Sequence, residues 1–149
     1  MPLRVYFNCD KELLNYRCNI SVLVMAKKIG IVEDEGIVAM DIRNSLISLG
    51  YEVPFWVDSG EKALQNLEKF ETDLMLMDII IKGPMDGITT AKLIREKYNL
   101  PIIFLTAFED EATLNRASNS NSDGFLIKPF EDTKLKEVIE KVFSGFKNT

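Results

Sequence analysis

The chain has 149 residues, 46% of them apolar, which is enough for one domain with a sizeable buried core. Its 23 acidic residues outnumber 18 basic ones, and the formal net charge of −5 argues against a general binder of nucleic-acid backbone. Histidine is absent, so histidine general bases, Ser–His and Cys–His nucleophile pairs and histidine metal sites are excluded. Chemistry here must run on carboxylates, hydroxyls, lysines and backbone groups.

Residues 1–26 read as an N-terminal extension. It holds both cysteines, Cys9 and Cys18, whose number and spacing do not match a zinc site. They read as reduced thiols of a cytoplasmic chain, with a disulfide left open. The stretch 20–26 (ISVLVMA) is far short of the ~20 residues of a membrane span, and Lys27 and Lys28 follow it at once. No membrane association is expected. Met25 stands just before the first clear strand. Residues 1–24 are therefore an appendage or an upstream start not always used, or else a genuine extra element packed on the domain.

From Lys27 the chain alternates two periods. Residues 28–32 (KIGIV) form a short apolar run that ends in Glu33, Asp34 and Glu35. Val38, Ile42, Leu46 and Leu49 then recur on one helical face, and Gly50 offers a C-terminal cap. Residues 52–57 (EVPFWV) are a second run, placed near a sheet edge because Pro54 cannot donate to a ladder. Asp58 and Ser59 can cap a helix carrying Ala63, Leu64, Leu67 and Phe70. Residues 73–81 (DLMLMDIII) form a nearly all-apolar strand with one inner carboxylate, Asp78. After the Lys82-Gly83-Pro84 turn, Ile88, Ala91, Ile94 and Tyr98 make a third helical stripe. Residues 101–105 (PIIFL) lead to Thr106, and 109–118 form a more polar helix followed by a Ser/Asn connector over 118–123. Residues 124–127 (GFLI) precede Lys128 and Pro129, and Leu135, Val138, Ile139, Val142 and Phe146 build the last helix.

The strand runs are continuous rather than alternating, so both faces of the sheet are covered. Strand–helix repeats of this kind imply an α/β fold: a doubly wound, five-stranded parallel sheet with ligands at the carboxyl ends of its strands. Four polar features fall on that rim: the Glu33/Asp34 pair, Asp78, Thr106 and Lys128. Converging carboxylates repel one another unless a cation sits between them, and oxygen ligands without His or Cys suit Mg²⁺, with Mn²⁺ as a substitute.

The segments IGIVEDE, DLMLMDI, MDGI, PIIFLTA and FLIKPF stand in order and well spaced. In them the chain resembles the receiver domain of response regulators in two-component signal transduction, over residues 27–147. The resemblance implies a flavodoxin-like fold with strand order 2-1-3-4-5. It implies Asp78 as phosphoacceptor, and Glu33, Asp34, Asp78 and the backbone carbonyl of Ile80 around the metal. It further implies Thr106 as switch hydroxyl with the small Ala107 beside it, Lys128 as the phosphate-pairing lysine, a cis peptide before Pro129, and Phe125 at the switch-aromatic position. Two departures stand out: Glu33 where Asp is commoner, and a turn over 79–87 one residue longer than usual. Ile80 and Phe108 flank the route of hydrolytic water in such domains, and their bulk predicts slow loss of phosphate.

The function so implied is a switch, not a turnover enzyme. A phosphoryl group comes from a partner histidine kinase or histidine-phosphotransfer protein, and a changed surface on the fourth helix, fifth strand and last helix meets a downstream protein. A homodimer is left open; direct nucleic-acid binding is not expected. Two alternatives stand beside this reading. A haloacid-dehalogenase-like phosphatase shares the Asp, Mg²⁺, Thr and Lys, but needs a second Asp where this chain has Ile80. A phosphorylation-independent binding module would be expected to lack Asp78 or Lys128.

Overall fold

A computed structural model describes residues 5–8, 19–22, 26–107, 111–118 and 123–146. Near the N-terminus, β1 (Val5–Asn8) and β2 (Asn19–Val22) pair antiparallel in a two-stranded sheet of their own. The rest alternates strand and helix: β3 (Ile29–Val32), α1 (Gly36–Ser48), β4 (Trp56–Val57), α2 (Gly60–Leu67), β5 (Leu74–Asp78), α3 (Gly87–Tyr98), β6 (Ile102–Thr106), α4 (Glu111–Ser118), β7 (Gly124–Ile127) and α5 (Asp132–Gly145).

The five strands from β3 onward pair in parallel in the order β4-β3-β5-β6-β7. Numbered within this sheet alone, that is 2-1-3-4-5, the doubly wound arrangement. Alternation along each strand divides the core in two. Ile29, Ile31, Leu74, Leu76, Ile103 and Leu105 face Ile42 and Leu46 of α1 and Leu135, Ile139 and Val142 of α5. Val32, Met75, Met77, Ile102 and Phe104 face Ala63 and Leu67 of α2, Ile88, Ala91 and Ile94 of α3, and Ala117 of α4. Every residue of β3, β5 and β6 is thus buried on one side or the other, which is why these runs are apolar nearly throughout.

Local chemistry sets the ends of elements. Ser59 caps α2 by accepting from the Lys62 N–H, and Asp86 caps α3 by accepting from the Thr89 N–H. Asn99, with φ of 51°, closes α3 in the left-handed conformation. Several expectations shift by a few residues. Of 52–57, only Trp56 and Val57 pair as a strand, with a single further bridge from Glu52 to Lys28; β4 is the sheet edge and Pro54 precedes its paired residues. β5 stops at Asp78 instead of running to residue 81, because the Asp78 carboxylate accepts the Ile80 N–H and turns the chain. Phe70 lies beyond the end of α2 and is 43% exposed, off the buried stripe assigned to it.

Gly30 and Gly87 record close approaches within the sheet and at its rim. A Cβ on Gly30 would stand 2.6 Å from the Met75 sulfur and 2.8 Å from Phe55. One on Gly87 would stand 2.0 Å from the Asp78 carbonyl oxygen, so the start of α3 lies directly on the backbone of the β5 end. Because the obstacle at Gly87 is backbone, Gly87→Ala is expected to cost about 1–3 kcal/mol by urea unfolding. Gly36→Ala, with nothing within 4 Å of the added atom, is the neutral control.

Candidate functional site

The rim at the carboxyl ends of β3, β5, β6 and β7 gathers the polar residues that the sheet buries. Glu33 is 0% exposed, and Asp78 and Thr106 are each 8% exposed. Parallel pairing fixes their neighbourhood: Val32 is in register with Met77, Asp78 with Leu105, and Thr106 with Ile127. The residues that follow these strands therefore share one edge.

Glu33, Asp34 and Asp78 offer carboxylate oxygens that all lie within 4.8 Å of one another. Lys128, the residue after β7, reaches across and donates to Glu33 Oε2 at 2.5 Å and to Asp78 Oδ2 at 2.7 Å. The other oxygens are also used. Glu33 Oε1 accepts from the Glu35 N–H at 3.1 Å, and Asp78 Oδ1 accepts from the Ile80 N–H at 3.0 Å. Glu35, at the N-cap position of α1, makes no side-chain cap; its backbone instead serves the buried Glu33.

The electrostatics follow from burial. Loss of hydration raises the Glu33 pKa to about 7, against the lowering effect of its bonds to Lys128 and the Glu35 N–H, and the Asp78 charge adds to the rise. Burial opposes the charge on Lys128, but its bonds to Asp78 and Glu33 outweigh that and hold its pKa above the ordinary lysine value. With all three acids ionised, one ammonium leaves two negative charges in excess. A hard divalent cation on oxygen ligands would neutralise them, so the donor set fits Mg²⁺.

The other expected positions that the structure describes lie on or next to the same strands. Ala107 is exposed beside Thr106. Phe125 on β7 is partly buried, its ring centroid 5.9 Å from that of Phe104. The Lys128–Pro129 peptide is cis. Ile80 points its bulk outward, 73% exposed. Phe108 lies outside the described residues. Two surfaces adjoin the rim that the sequence did not single out. A cleft of about 280 Å³ is lined by Glu33, Asp34, Trp56 and the Asp58–Lys62 ion pair (2.7 Å). A groove of about 670 Å³ runs from Ile37, Val38 and Asp41 on α1 to Lys128 and Phe130. The i,i+4 spacing of Asp58 and Lys62 was the visible signal for their pairing; the placement of Trp56 beside them was not visible, because it depends on the short pairing of β4.

The response regulator receiver domain model matches residues 29–140, and the chain belongs to that family. It is 34% identical over 122 residues to the transcriptional regulatory protein PdtaR of Mycobacterium tuberculosis, covering 81% of this chain and 58% of that one. It is 33% identical to the transcriptional regulatory protein CrdR of Helicobacter pylori, covering 80% of this chain and 56% of that one. The chain thus spans little more than half the length of these relatives. Among solved structures, the signal receiver domain of a modulated diguanylate cyclase from Desulfovibrio desulfuricans superposes with a TM-score of 0.76 at 37% identity, over 80% of this chain and 94% of that one. The receiver domain of a sensor histidine kinase from Pseudomonas aeruginosa, which has a magnesium ion coordinated in its active-site cleft, superposes with a TM-score of 0.72 at 28% identity, over 80% and 99%. The fold and family are those of receiver domains in two-component signalling, and receiver domains bind Mg²⁺ in an acidic site.

The raised Glu33 pKa makes a stability prediction. In metal-free buffer the folded chain holds a proton on Glu33 that the unfolded chain releases near its ordinary value of 4.5. That contribution is full below the unfolded value and is lost as pH rises through about 7. Urea midpoints should therefore fall from about pH 5 to about pH 7.5 in wild type, and this part of the slope should vanish in Glu33→Gln.

Proposed function

We propose that this chain is a phosphorylation-controlled receiver in which Asp78 is the phosphoacceptor. The single observation that carries the reading is the convergence of Glu33, Asp34, Asp78 and Lys128 on one rim, with Lys128 bonded to Asp78 at 2.7 Å. Residues 27–147 form the receiver unit, and residues 1–26 lie outside it.

In the reaction, an Asp78 carboxylate oxygen attacks phosphorus in a phosphohistidine of a partner. The new O–P bond forms as the P–N bond breaks, and the leaving imidazole takes a proton from solvent. The donor histidine belongs to a histidine kinase or phosphotransfer protein, because this chain has none. Glu33, Asp34, Asp78 and the carbonyl of Ile80 would hold Mg²⁺, which supplies charge neutralisation for the transferring oxygens. Lys128 exchanges one of its carboxylate partners for a phosphoryl oxygen, a charge-assisted bond in a partly dry site. Thr106 offers its hydroxyl, and the small Ala107 leaves room for the group. The fit to a protein donor is supported by exposed apolar surface: Ile37 is 87% exposed at the groove that reaches Lys128, and Ile80 is 73% exposed two residues past Asp78.

The group added at Asp78 then biases two arrangements of the rim. Thr106 moves toward the phosphoryl oxygens, and Phe125, already in contact with the core ring of Phe104, repacks into the space. The altered face on α4, β7 and α5 is read by a downstream protein, and a homodimer is one form that readout can take. Sustained phosphatase turnover is disfavoured because an exposed Ile80 stands where a general acid would be needed.

Incubation with Mg²⁺ and acetyl phosphate should add about 80 Da by intact mass. The adduct should be absent in Asp78→Asn and without Mg²⁺; a wild-type chain that gains nothing, or a variant that still gains it, would sink the reading. Combined Ile80→Asn and Phe108→Glu should then speed phosphate loss by roughly tenfold, in the direction that the resemblance to receiver domains implies for these two positions. An unchanged lifetime would remove these two side chains from control of hydrolysis.

A further inference from the structure

The end of β5 is joined to α4 by a route that does not pass through Thr106. Its first link is backbone contact. The Gly87 N–H donates to the Ile79 carbonyl at 2.9 Å, and the Asp78 carbonyl sits where a Gly87 Cβ would be. The second link is Asp86, which divides its carboxylate between two duties. Oδ1 caps α3 through the Thr89 N–H at 2.8 Å, and Oδ2 accepts from Arg116 Nη2 on α4 at 2.9 Å.

Asp86 is itself held firmly. Its carbonyl accepts from both the N–H and the hydroxyl of Thr90, at 3.0 and 2.8 Å. Thr90 is fully buried against Gly60 of α2, where an added Cβ would stand 2.1 Å from its hydroxyl. The arginine end is looser: its side chain is 59% exposed, against 37% for Asp86. The ion pair also helps hold the Asp86 pKa below the ordinary carboxylate value, after burial and the bonds from Thr89, of which burial alone acts upward. The joint therefore has a rigid side next to Asp78 and a weak, breakable side on α4.

We propose that Arg116 is a positioning residue that tethers α4 to the Asp78 loop through Asp86. A group added to Asp78 then shifts α4 by straining this tether as well as by drawing on Thr106. The proposal rests on Asp78 being the phosphoacceptor. A half-exposed ion pair suits the task because it contributes little enough to be broken by one event at the site.

The tether can be tested on the full, metal-free chain by amide hydrogen exchange. Asn caps helices as well as Asp, so Asp86→Asn keeps the α3 cap and removes only the charge. Asp86→Asn and Arg116→Gln should each speed exchange over Glu111–Ser118 by about two- to fivefold, while amides in the first turn of α3 stay protected. The double variant should go no further than either single one. Arg116→Lys should restore part of the protection, and high salt should loosen wild type but not the variants. Unchanged exchange in α4, or single effects that add in full, would overturn the tether.

Coupling is tested separately with Mg²⁺ and beryllofluoride as the phosphoryl mimic. Arg116→Gln should bind the mimic about two- to fivefold more tightly, since the tether no longer has to be broken. Equal affinity overturns the coupling and leaves Asp78's role standing. A wild type that does not respond to the mimic overturns Asp78's role and the coupling with it, whatever the metal-free exchange shows.

Discussion

Three carboxylates crowd one end of a parallel sheet, and the ammonium of Lys128 is wedged between two of them. Nearly everything else in the domain follows from the need to keep them there. Burial raises the cost of ionising Glu33, and the Asp78 charge beside it adds to that cost. The arrangement is tolerable because the surroundings are stiff. Asp78 ends the central strand of the sheet, Glu33 follows its neighbour, and Lys128 follows the edge strand β7. The two apolar layers clamp the strands from both faces, so the acids cannot relax apart. Repulsion held in this way suits a small cation among the carboxylates, which is what the proposed receiver role requires.

Under the proposed receiver reading, the same stiffness makes the site a source of motion elsewhere. A rim that cannot spread passes any change in its charge into parts that are less tightly packed. Helix α4 sets Ala117 in the core and carries Arg116 on its surface. Its position just after β6 puts it one short connection from Thr106, and Arg116 adds its link to Asp86.

Much of this was legible in the chain itself. Runs such as LMLMD and IIFLT have no polar face, and only a sheet covered on both sides needs that. With strands assigned, a carboxylate at each of two strand ends and a lysine at a third must meet on one rim, because parallel strands share a direction. What escaped was decided by tertiary pairing. A run of three isoleucines reads as strand, yet the Asp78 side chain turns the backbone after one of them is buried and before the next is exposed. Phe70 fits a helical stripe by spacing, but α2 has ended three residues earlier. Arg116 and Asp86 are 30 residues apart on helices whose mutual approach has no local signature. The service of the Glu35 backbone N–H to a buried acid two residues back has no sequence signal either.

The place of β4 at the sheet edge has an optical consequence. Trp56 pairs with Ile31 there and remains 43% exposed on the wall of the cleft it shares with Glu33 and Asp34. It is the chain's single tryptophan. Its emission is therefore free of any second indole, and a change in charge or hydration at the acidic rim falls within reach of it. The domain carries a built-in gauge of its own site, readable in the unlabelled protein.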